Sequence, residues 1–144
     1  MSPMVQESTP RRRIAAAVAR EGEEAFVGRC LSILGDGEID VELIEVLGGN
    51  SASPVLAGRS DGPRGYWVRT WALRAFLYAW SAAAEPAVVA ATADTHWRVR
   101  EMAAKVLAAR ATSRCGAEAA LERLLQDAHL RVRAAARRAL GRPG

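Results

Sequence analysis

Few residues in this sequence have the types and spacing that metal or covalent chemistry needs. His96 and His129 stand in equivalent positions, each two residues after an aspartate, but no third ligand type repeats beside them, so metal binding is not expected. Cys30 and Cys115 lie 85 residues apart with no Cys-x-x-Cys pair, which favours two free, mostly buried thiols over a disulfide. Nucleophile motifs and phosphate-binding glycine loops are missing. We therefore predict a protein that is not an enzyme and holds no cofactor.

Basic and aromatic residues at helical spacing are the candidates for binding. Steps of 100° per residue place four side chains of one predicted helix on a single arc, about 130° from its apolar core arc. These four are Trp67, Trp71, Arg74 and Tyr78. The equivalent arcs of two later helices contain the bases Arg98, Lys105, Arg131 and Arg138. Because equivalent positions line up in a repeat array, we predict a basic stripe beside an aromatic patch.

Such a stripe suits two classes of ligand. Phosphate contacts combined with base stacking would bind a nucleic acid. Charge combined with aromatic anchors would bind an acidic segment of another protein. The structural alternative is that the aromatic side chains pack in the core and the arginines form a solvated face.

An internal repeat must position these helices. Two copies begin at Asp94 and Asp127, and in each the Asp is followed five residues later by Val and six later by Arg. An Ala and a Leu follow four and eight residues after that Val. A looser copy begins at Asp61 and has two extra residues before Val68, and the three aspartates are 33 residues apart. A fixed period of this length is typical of an α-solenoid.

Each copy is predicted to be the second helix of an antiparallel pair. The Val, Ala and Leu form one apolar stripe, which a single helix cannot bury alone. The partner helices are predicted at about 86–93 and about 117–126, so that Asp94 and Asp127 lie in the turns between partners. We expect an all-α fold, an α-solenoid of about three to four antiparallel helix pairs.

The motif Asp-x-x-x-x-Val-Arg-x-x-Ala resembles HEAT repeats, including the bacterial HEAT-like type that also occurs in phycobilin lyases. The resemblance covers about 85–142 well, 61–80 fairly and the first 60 residues by pattern alone. In that family the turn Asp and the following Arg form a hydrogen-bonded ladder between repeats. This implies structural roles for Asp94, Arg100, Asp127 and Arg133. HEAT arrays serve unrelated functions, so the resemblance implies a fold rather than an activity.

The rest of the chain is divided by its composition. Residues 1–10 are predicted to be a flexible tail, and 11–144 a single HEAT-like domain. Its N-terminal helices occupy 11–48, and its best-defined repeats occupy 66–144. Between them, 49–65 is predicted to be a long loop that is either functional or a tolerated insertion, and we favour the insertion.

The net charge of +4 conceals an uneven distribution. Residues 21–47 contain eight acids and one Arg, a sum of −7, whereas 95–144 contain eleven bases and four acids, a sum of +7. Such asymmetry can steer an acidic partner to one end or stack chains head to tail.

No apolar run approaches the roughly 18–20 residues of a membrane span, so we expect no membrane association and a cytoplasmic location.

Three hypotheses of function follow. The favoured one is a non-catalytic scaffold that binds another protein, possibly an acidic one, or a second copy of itself, through the inner helical face. The second is a nucleic-acid-binding protein that uses the basic and aromatic stripe, similar to alkylpurine DNA glycosylases but without a catalytic acid. The third is a phycobilin-lyase-like auxiliary role, which the repeat resemblance alone implies.

Overall fold

The computed structural model describes residues 8–111 and 114–142, and these residues form helices and turns without a strand. The all-α class predicted from the sequence is therefore confirmed for the described part of the chain. Residues 1–7, most of the predicted tail, lie outside it. The chain divides after Ser81 into two compact units, called unit 1 and unit 2 in chain order.

Unit 1 begins with three helices whose ends are set by local chemistry. The Thr9 hydroxyl accepts a hydrogen bond from the Arg12 amide at 3.2 Å, and Pro10 occupies the first helical position. Gly22, with φ of +91°, separates the first two helices. The Asp40 carboxylate accepts from the Leu43 amide at 3.0 Å and starts the third. The helices of this unit are α1 (Pro10–Glu21), α2 (Glu23–Leu34), α3 (Val41–Gly48), α4 (Ala52–Leu56) and α5 (Tyr66–Ala75).

Helix α5 is the central element of unit 1. Six of its ten residues are buried, and it packs against α2 and α3. The core beside it is formed by large side chains that are at most 2% exposed: Ile14, Phe26, Val27, Leu43, Ile44, Leu47, Val68, Leu73 and Phe76. This agrees with the apolar character of the segment, which predicts burial on most sides.

The stretch 49–65, predicted to be a long loop, contains three short helical segments. They are a 3-10 turn at Gly49–Ser51, helix α4 at Ala52–Leu56 and a second 3-10 segment at Arg59–Arg64. Ala52 and Val55 are 1% and 5% exposed, so α4 is held by burial of these two side chains. A five-residue helix offers too few apolar positions for a periodic signal, which is why the sequence did not reveal it.

The looser third copy of the repeat has a different turn from the other two. Ser60 and Asp61 both have left-handed φ values, of +53° and +70°, within the Arg59–Arg64 segment. The chain is thereby redirected before α5 begins at Tyr66. The two extra residues of this copy are accommodated in this turn.

Unit 2 contains the two clear copies of the repeat. Its helices are α6 (Glu85–Ala91), α7 (Trp97–Arg110), α8 (Arg114–Leu124) and α9 (Leu130–Ala139). The positions of α6 and α8 agree with the partner helices predicted at about 86–93 and about 117–126 to within three residues. Helix α7 packs against α6 and α9, and α8 packs against α9. The valines of the motif, Val99 and Val132, are both fully buried.

Two further observations apply to the described residues. No helix among them is long and apolar enough to cross a membrane. No group of three or more His, Cys, Asp or Glu side chains there could hold a metal ion.

Candidate functional site

The turns before α7 and α9 have the same hydrogen bonds. The carboxylate of Asp94 accepts from the His96 amide at 2.9 Å, and that of Asp127 accepts from the His129 amide at 2.9 Å. Each histidine then accepts, through Nδ1, the amide of the residue two positions later, at 3.1 Å in both copies. The imidazoles therefore act as helix N-caps, which requires Nδ1 to be unprotonated.

The motif arginines link these turns. Arg100 donates one Nη1 hydrogen bond to the Asp94 carbonyl at 2.9 Å, and Arg133 makes the equivalent bond to the Asp127 carbonyl at 2.7 Å. The remaining Nε and Nη2 of Arg100 donate to the two carboxylate oxygens of Asp127 at 2.7 and 3.0 Å. A bidentate pair of this geometry fixes α7 against the turn that starts α9.

This pairing controls the charge state of Asp127. Burial by itself raises the pKa of this carboxyl, but hydrogen bonds from Arg100 and from the His129 amide oppose burial and lower it below its usual range. Asp127 therefore stays ionised and paired at neutral pH.

Three of the predicted binding bases lie in a cluster around Trp97 and Glu101. The guanidinium groups of Arg98 and Arg131 lie 4.5 and 5.3 Å from the centre of the Trp97 ring. Arg131 also donates to the Glu101 carboxylate at 3.2 Å, and Lys105 lies 3.7 Å from it. Glu101 is thus shared by Lys105 and Arg131, and Arg98 packs on the Trp97 ring. The fourth base, Arg138, has an exposed side chain.

Trp97 was not predicted as a functional residue, and the structure gives it a packing role. Its ring stacks on the His129 imidazole with centroids 3.9 Å apart and planes within 8°. The contact joins the first residue of α7 to the histidine that caps α9, so it links neighbouring positions of the motif in successive copies. The sequence signal that could have revealed this role is a Trp at the first position of a repeat helix.

Unit 1 brings three of the predicted binding residues to one groove. Trp67 and Trp71 stack at a centroid distance of 6.3 Å, and Arg74 lies beside them. The groove has a volume of about 580 Å³ and is lined by Asn50, Ser51, Pro54, Val55, Arg59, Ser60, Trp67, Trp71 and Arg74. Two-thirds of this lining comes from 49–65, so that stretch forms one wall of the groove. Sequence reasoning favoured a tolerated insertion here and missed Arg59, whose only signal was a base in an irregular segment rich in Gly and Ser.

Trp71 approaches the backbone closely at the end of α3. A Cβ placed on Gly48 would lie 2.5 Å from Cζ3 of the Trp71 ring, a distance that real Cβ atoms do not adopt. Glycine is therefore needed for the ring to lie where it does, with the Trp71 residue only 6% exposed. The groove wall depends on this contact.

Arg74 combines a structural bond with an unsatisfied donor. Its Nη2 donates to the Leu47 carbonyl at the end of α3, at 2.5 Å, and Arg13 donates to the Val46 carbonyl at 2.7 Å. The Arg74 Nε is buried and has no hydrogen-bond partner among the described residues. Burial and the neighbouring Arg13 charge lower the pKa of Arg74.

The positive charge of the groove is not compensated within the described chain. No described carboxylate forms an ion pair with Arg13, Arg59 or Arg74. The Arg59 side chain is exposed at the groove wall. An anionic group entering the groove would therefore gain two guanidinium partners that have no described carboxylate partner.

Tyr78, the third aromatic candidate, does not line the groove. Its side chain is 38% exposed, and the Arg11 guanidinium lies 5.7 Å from its ring centre. The predicted arc therefore separates into a groove formed with Trp67, Trp71 and Arg74 and a surface contact between Tyr78 and α1.

Cys30 is a buried free thiol, and burial raises its pKa to about 12. It is therefore not a nucleophile at neutral pH. The side chain of Cys115 lies outside the described residues.

Comparison of this chain with protein-family models, with curated proteins and with solved structures found no match.

Proposed function

We propose that this protein is a non-catalytic helical-repeat module that binds an acidic segment of another protein in the groove of unit 1. The observation that carries the proposal is the pair of stacked tryptophans, Trp67 and Trp71, beside two arginines without carboxylate partners. An aromatic wall binds an apolar side chain, while Arg59 and Arg74 bind flanking carboxylates.

The proposal includes a HEAT-like arrangement of the repeats. It is supported by the identical turn hydrogen bonds at Asp94 and Asp127 and by the Arg100–Asp127 pair, which joins one copy to the next. A repeat scaffold needs no catalytic group, because its function is to hold a surface in a fixed shape.

Burial of Trp71 favours a peptide over a nucleic acid. Stacking on a base requires an exposed ring face, but Trp71 is 6% exposed, and in unit 2 the Trp97 ring stacks on His129. Lys105 and Arg131 of unit 2 are less available to bind phosphate groups than Arg59 is, since both pair with Glu101. Nucleic-acid binding is therefore an outcome to be tested against the peptide.

Fluorescence anisotropy with a labelled peptide of glutamates and leucines tests the groove. We expect Arg59→Glu to weaken binding at least about tenfold, because repulsion replaces attraction at an exposed position. Trp67→Ala should weaken it by a similar factor, since the apolar anchor loses its wall. Arg59 is preferred to Arg74 for this test, because Arg74 also holds the end of α3.

The matched control is Arg20→Glu, an exposed position on α1 with the same change of charge. It should leave binding unchanged to within about twofold. Equal weakening by Arg20→Glu, or no binding of the peptide at about 1 mM, would reject the proposal. If a single-stranded oligonucleotide binds instead and Arg59→Glu weakens it, the groove is a nucleic-acid site.

A further inference from the structure

Three contacts join the first clear copy of the repeat to the second in unit 2. The Nε–Nη2 edge of Arg100 holds the Asp127 carboxylate, and the Trp97 ring stacks on His129. Glu101 accepts a hydrogen bond from Arg131. In each contact, a residue near the start of α7 contacts the turn before α9 or the first residues of α9. These α7 residues therefore form the face on which the second copy packs.

The second copy has an equivalent face on α9. No segment of the described chain packs on it as the second copy packs on α7. Arg133 is equivalent to Arg100 and has the same Nη1 bond to its own turn, but no described carboxylate pairs with its Nε–Nη2 edge. Leu130 is equivalent to Trp97, and it is 66% exposed. The guanidinium is therefore held in the orientation that binds a carboxylate in the first copy, next to an uncovered apolar side chain.

One substitution within the repeat changes what this face can bind. Arg137 stands where the first copy has the fully buried Ala104. Leu130, Arg133 and Arg137 follow the i, i+3, i+7 spacing of a single helical face. The Arg137 Nε is buried and has no hydrogen-bond partner among the described residues. An apolar helix packed as α9 packs on α7 would leave this charge unpaired, so the face selects an acidic occupant.

A complementary surface occurs in unit 1, at the turn between α2 and α3. Ile39 and Val41 are 43% and 50% exposed, and the carboxylates of Asp36 and Glu38 are exposed beside them. A cavity of about 230 Å³ opens at this turn and is lined in part by Ile33, Leu34, Ile39 and Ile44. Arg64 also lines it and donates to the Gly37 carbonyl at 3.2 Å. The turn thus combines an apolar cavity with two acids, Asp36 and Glu38, that form no ion pair with a described base, and Arg64 and Arg69 line the same cavity.

We infer that the chain associates head to tail, with α9 of one copy docking on the α2–α3 turn of a second copy. In the complex, Leu130 enters the cavity between α2 and α3, and Arg133 and Arg137 pair with Asp36 and Glu38 of the second copy. Three of the four exposed large hydrophobic residues of the described chain, Ile39, Val41 and Leu130, lie in these two patches. The charge of −7 over 21–47 and +7 over 95–144 favours the same orientation.

Such a contact uses different surfaces on the two copies. A heterologous interface does not close on itself unless a rotation makes a ring, so association continues from dimers to longer chains. The groove of unit 1 is not involved, and the inference stands independently of the proposed function.

Sedimentation equilibrium of nuclease-treated protein tests the inference. The weight-average mass of the wild type should rise between about 10 µM and about 1 mM and fall as the salt concentration increases, because exposed charge pairs are screened. Leu130→Asp should weaken association at least about tenfold, because it introduces a like charge among the acids of the second copy. Glu38→Arg should do the same from the other side.

Mixing the two variants gives a sharper result. Leu130→Asp retains an intact α2–α3 turn, and Glu38→Arg retains an intact α9 face. Each alone should be monomeric at concentrations where the wild type associates, while an equimolar mixture should form complexes that contain both variants, because one α9 face and one α2–α3 turn remain intact. Ala109→Asp, an exposed position on α7 with the same added charge, is the control and should associate as the wild type does.

The inference is overturned if the wild type stays monomeric at about 1 mM and low salt. It is also overturned if the mixture of variants stays monomeric while circular dichroism shows both to be folded, or if Ala109→Asp weakens association as strongly as Leu130→Asp. Wild-type association that disappears on nuclease treatment would show that nucleic acid bridges the copies, and this too would reject direct docking.

Discussion

At the end of α3, the ring of Trp71 lies directly against the backbone of Gly48. The contact joins the stability of unit 1 to the shape of its groove, because Trp71 is at once a core residue and part of the groove wall. Single substitutions should therefore change stability and binding most where the side chain belongs both to the core of unit 1 and to the groove wall. Gly28, in the middle of α2, provides the comparison, since a Cβ there meets nothing within 4 Å.

Gly48→Ala should destabilise the protein by about 1–3 kcal/mol, because the added methyl forces the Trp71 ring to move in a packed core. Gly28→Ala should instead stabilise it by about 0.5–1 kcal/mol, since alanine favours the helix interior. Urea denaturation followed by circular dichroism measures both. A Gly48→Ala variant at least as stable as the wild type would show that the ring is not held there.

At the scale of the elements, an arginine fork on an aspartate recurs in both units. In unit 2, Arg100 joins α7 to the turn before α9. In unit 1, Arg29 of α2 donates through Nε and Nη2 to the Asp40 carboxylate at 3.0 and 2.9 Å, just before α3. The hydrogen bonds from Arg29 lower the pKa of Asp40, against the effect of burial. In both units, a helix is fixed to the start of a later one by a pair that needs an ionised carboxylate.

Asp127→Asn should reduce the free energy of unfolding by about 2–3 kcal/mol at pH 7, because the partly buried Arg100 loses its counter-charge. The folded-state pKa of Asp127 is lowered, so its contribution is present above the unfolded pKa of about 3.9 and is lost as the pH falls through the folded value. The gap between variant and wild type should therefore close towards about pH 2. Chemical denaturation across this pH range provides the measurement.

Glu118→Gln, at an exposed position on α8, serves as the control for Asp127→Asn and should change stability by less than about 0.5 kcal/mol at any pH. A gap that stays constant from neutral to acid pH would mean that the carboxylate charge of Asp127 contributes nothing.

At the scale of the whole molecule, the opposite charges of 21–47 and 95–144 distinguish the two ends of the chain. Each unit nevertheless has its own apolar core, around α5 in unit 1 and around Val99 and Val132 in unit 2. Cys30 is fully buried in the first of these cores, so its thiol reports whether unit 1 is open.

Cys30 should react with a thiol reagent at pH 8 only as fast as unit 1 opens, because the thiol is buried and its pKa is raised to about 12. The measurement uses Cys115→Ser, so that one thiol remains. Its labelling rate should rise with urea in parallel with unfolding and reach that of a free thiol once the chain is denatured. Rapid labelling in native buffer would place Cys30 at the surface and contradict the packing of α2.

Sequence reasoning was most successful where the interactions are local or periodic. The all-α class and the positions of the helices in unit 2 follow from apolar periodicity and from the spacing of the motif. The cap at Thr9 was not predicted, because residues 1–10 were assigned to a flexible tail, whereas α1 begins at Pro10. The face that groups Trp67, Trp71 and Arg74 also follows from helical spacing alone. Helix α4 could not be predicted in this way, because its five residues are held by burial of Ala52 and Val55 rather than by a periodic pattern.

The sequence by itself determined which residues share a helix face and that two copies of one motif have equivalent turns, because these depend on helix geometry and short-range hydrogen bonds. Only the tertiary structure decided that Arg59 lies beside the tryptophans and that Gly48 receives the Trp71 ring. Only the tertiary structure also decided that Lys105 and Arg131 share one carboxylate, that of Glu101. These contacts join segments distant in sequence, and which of them form is set by how the helices pack.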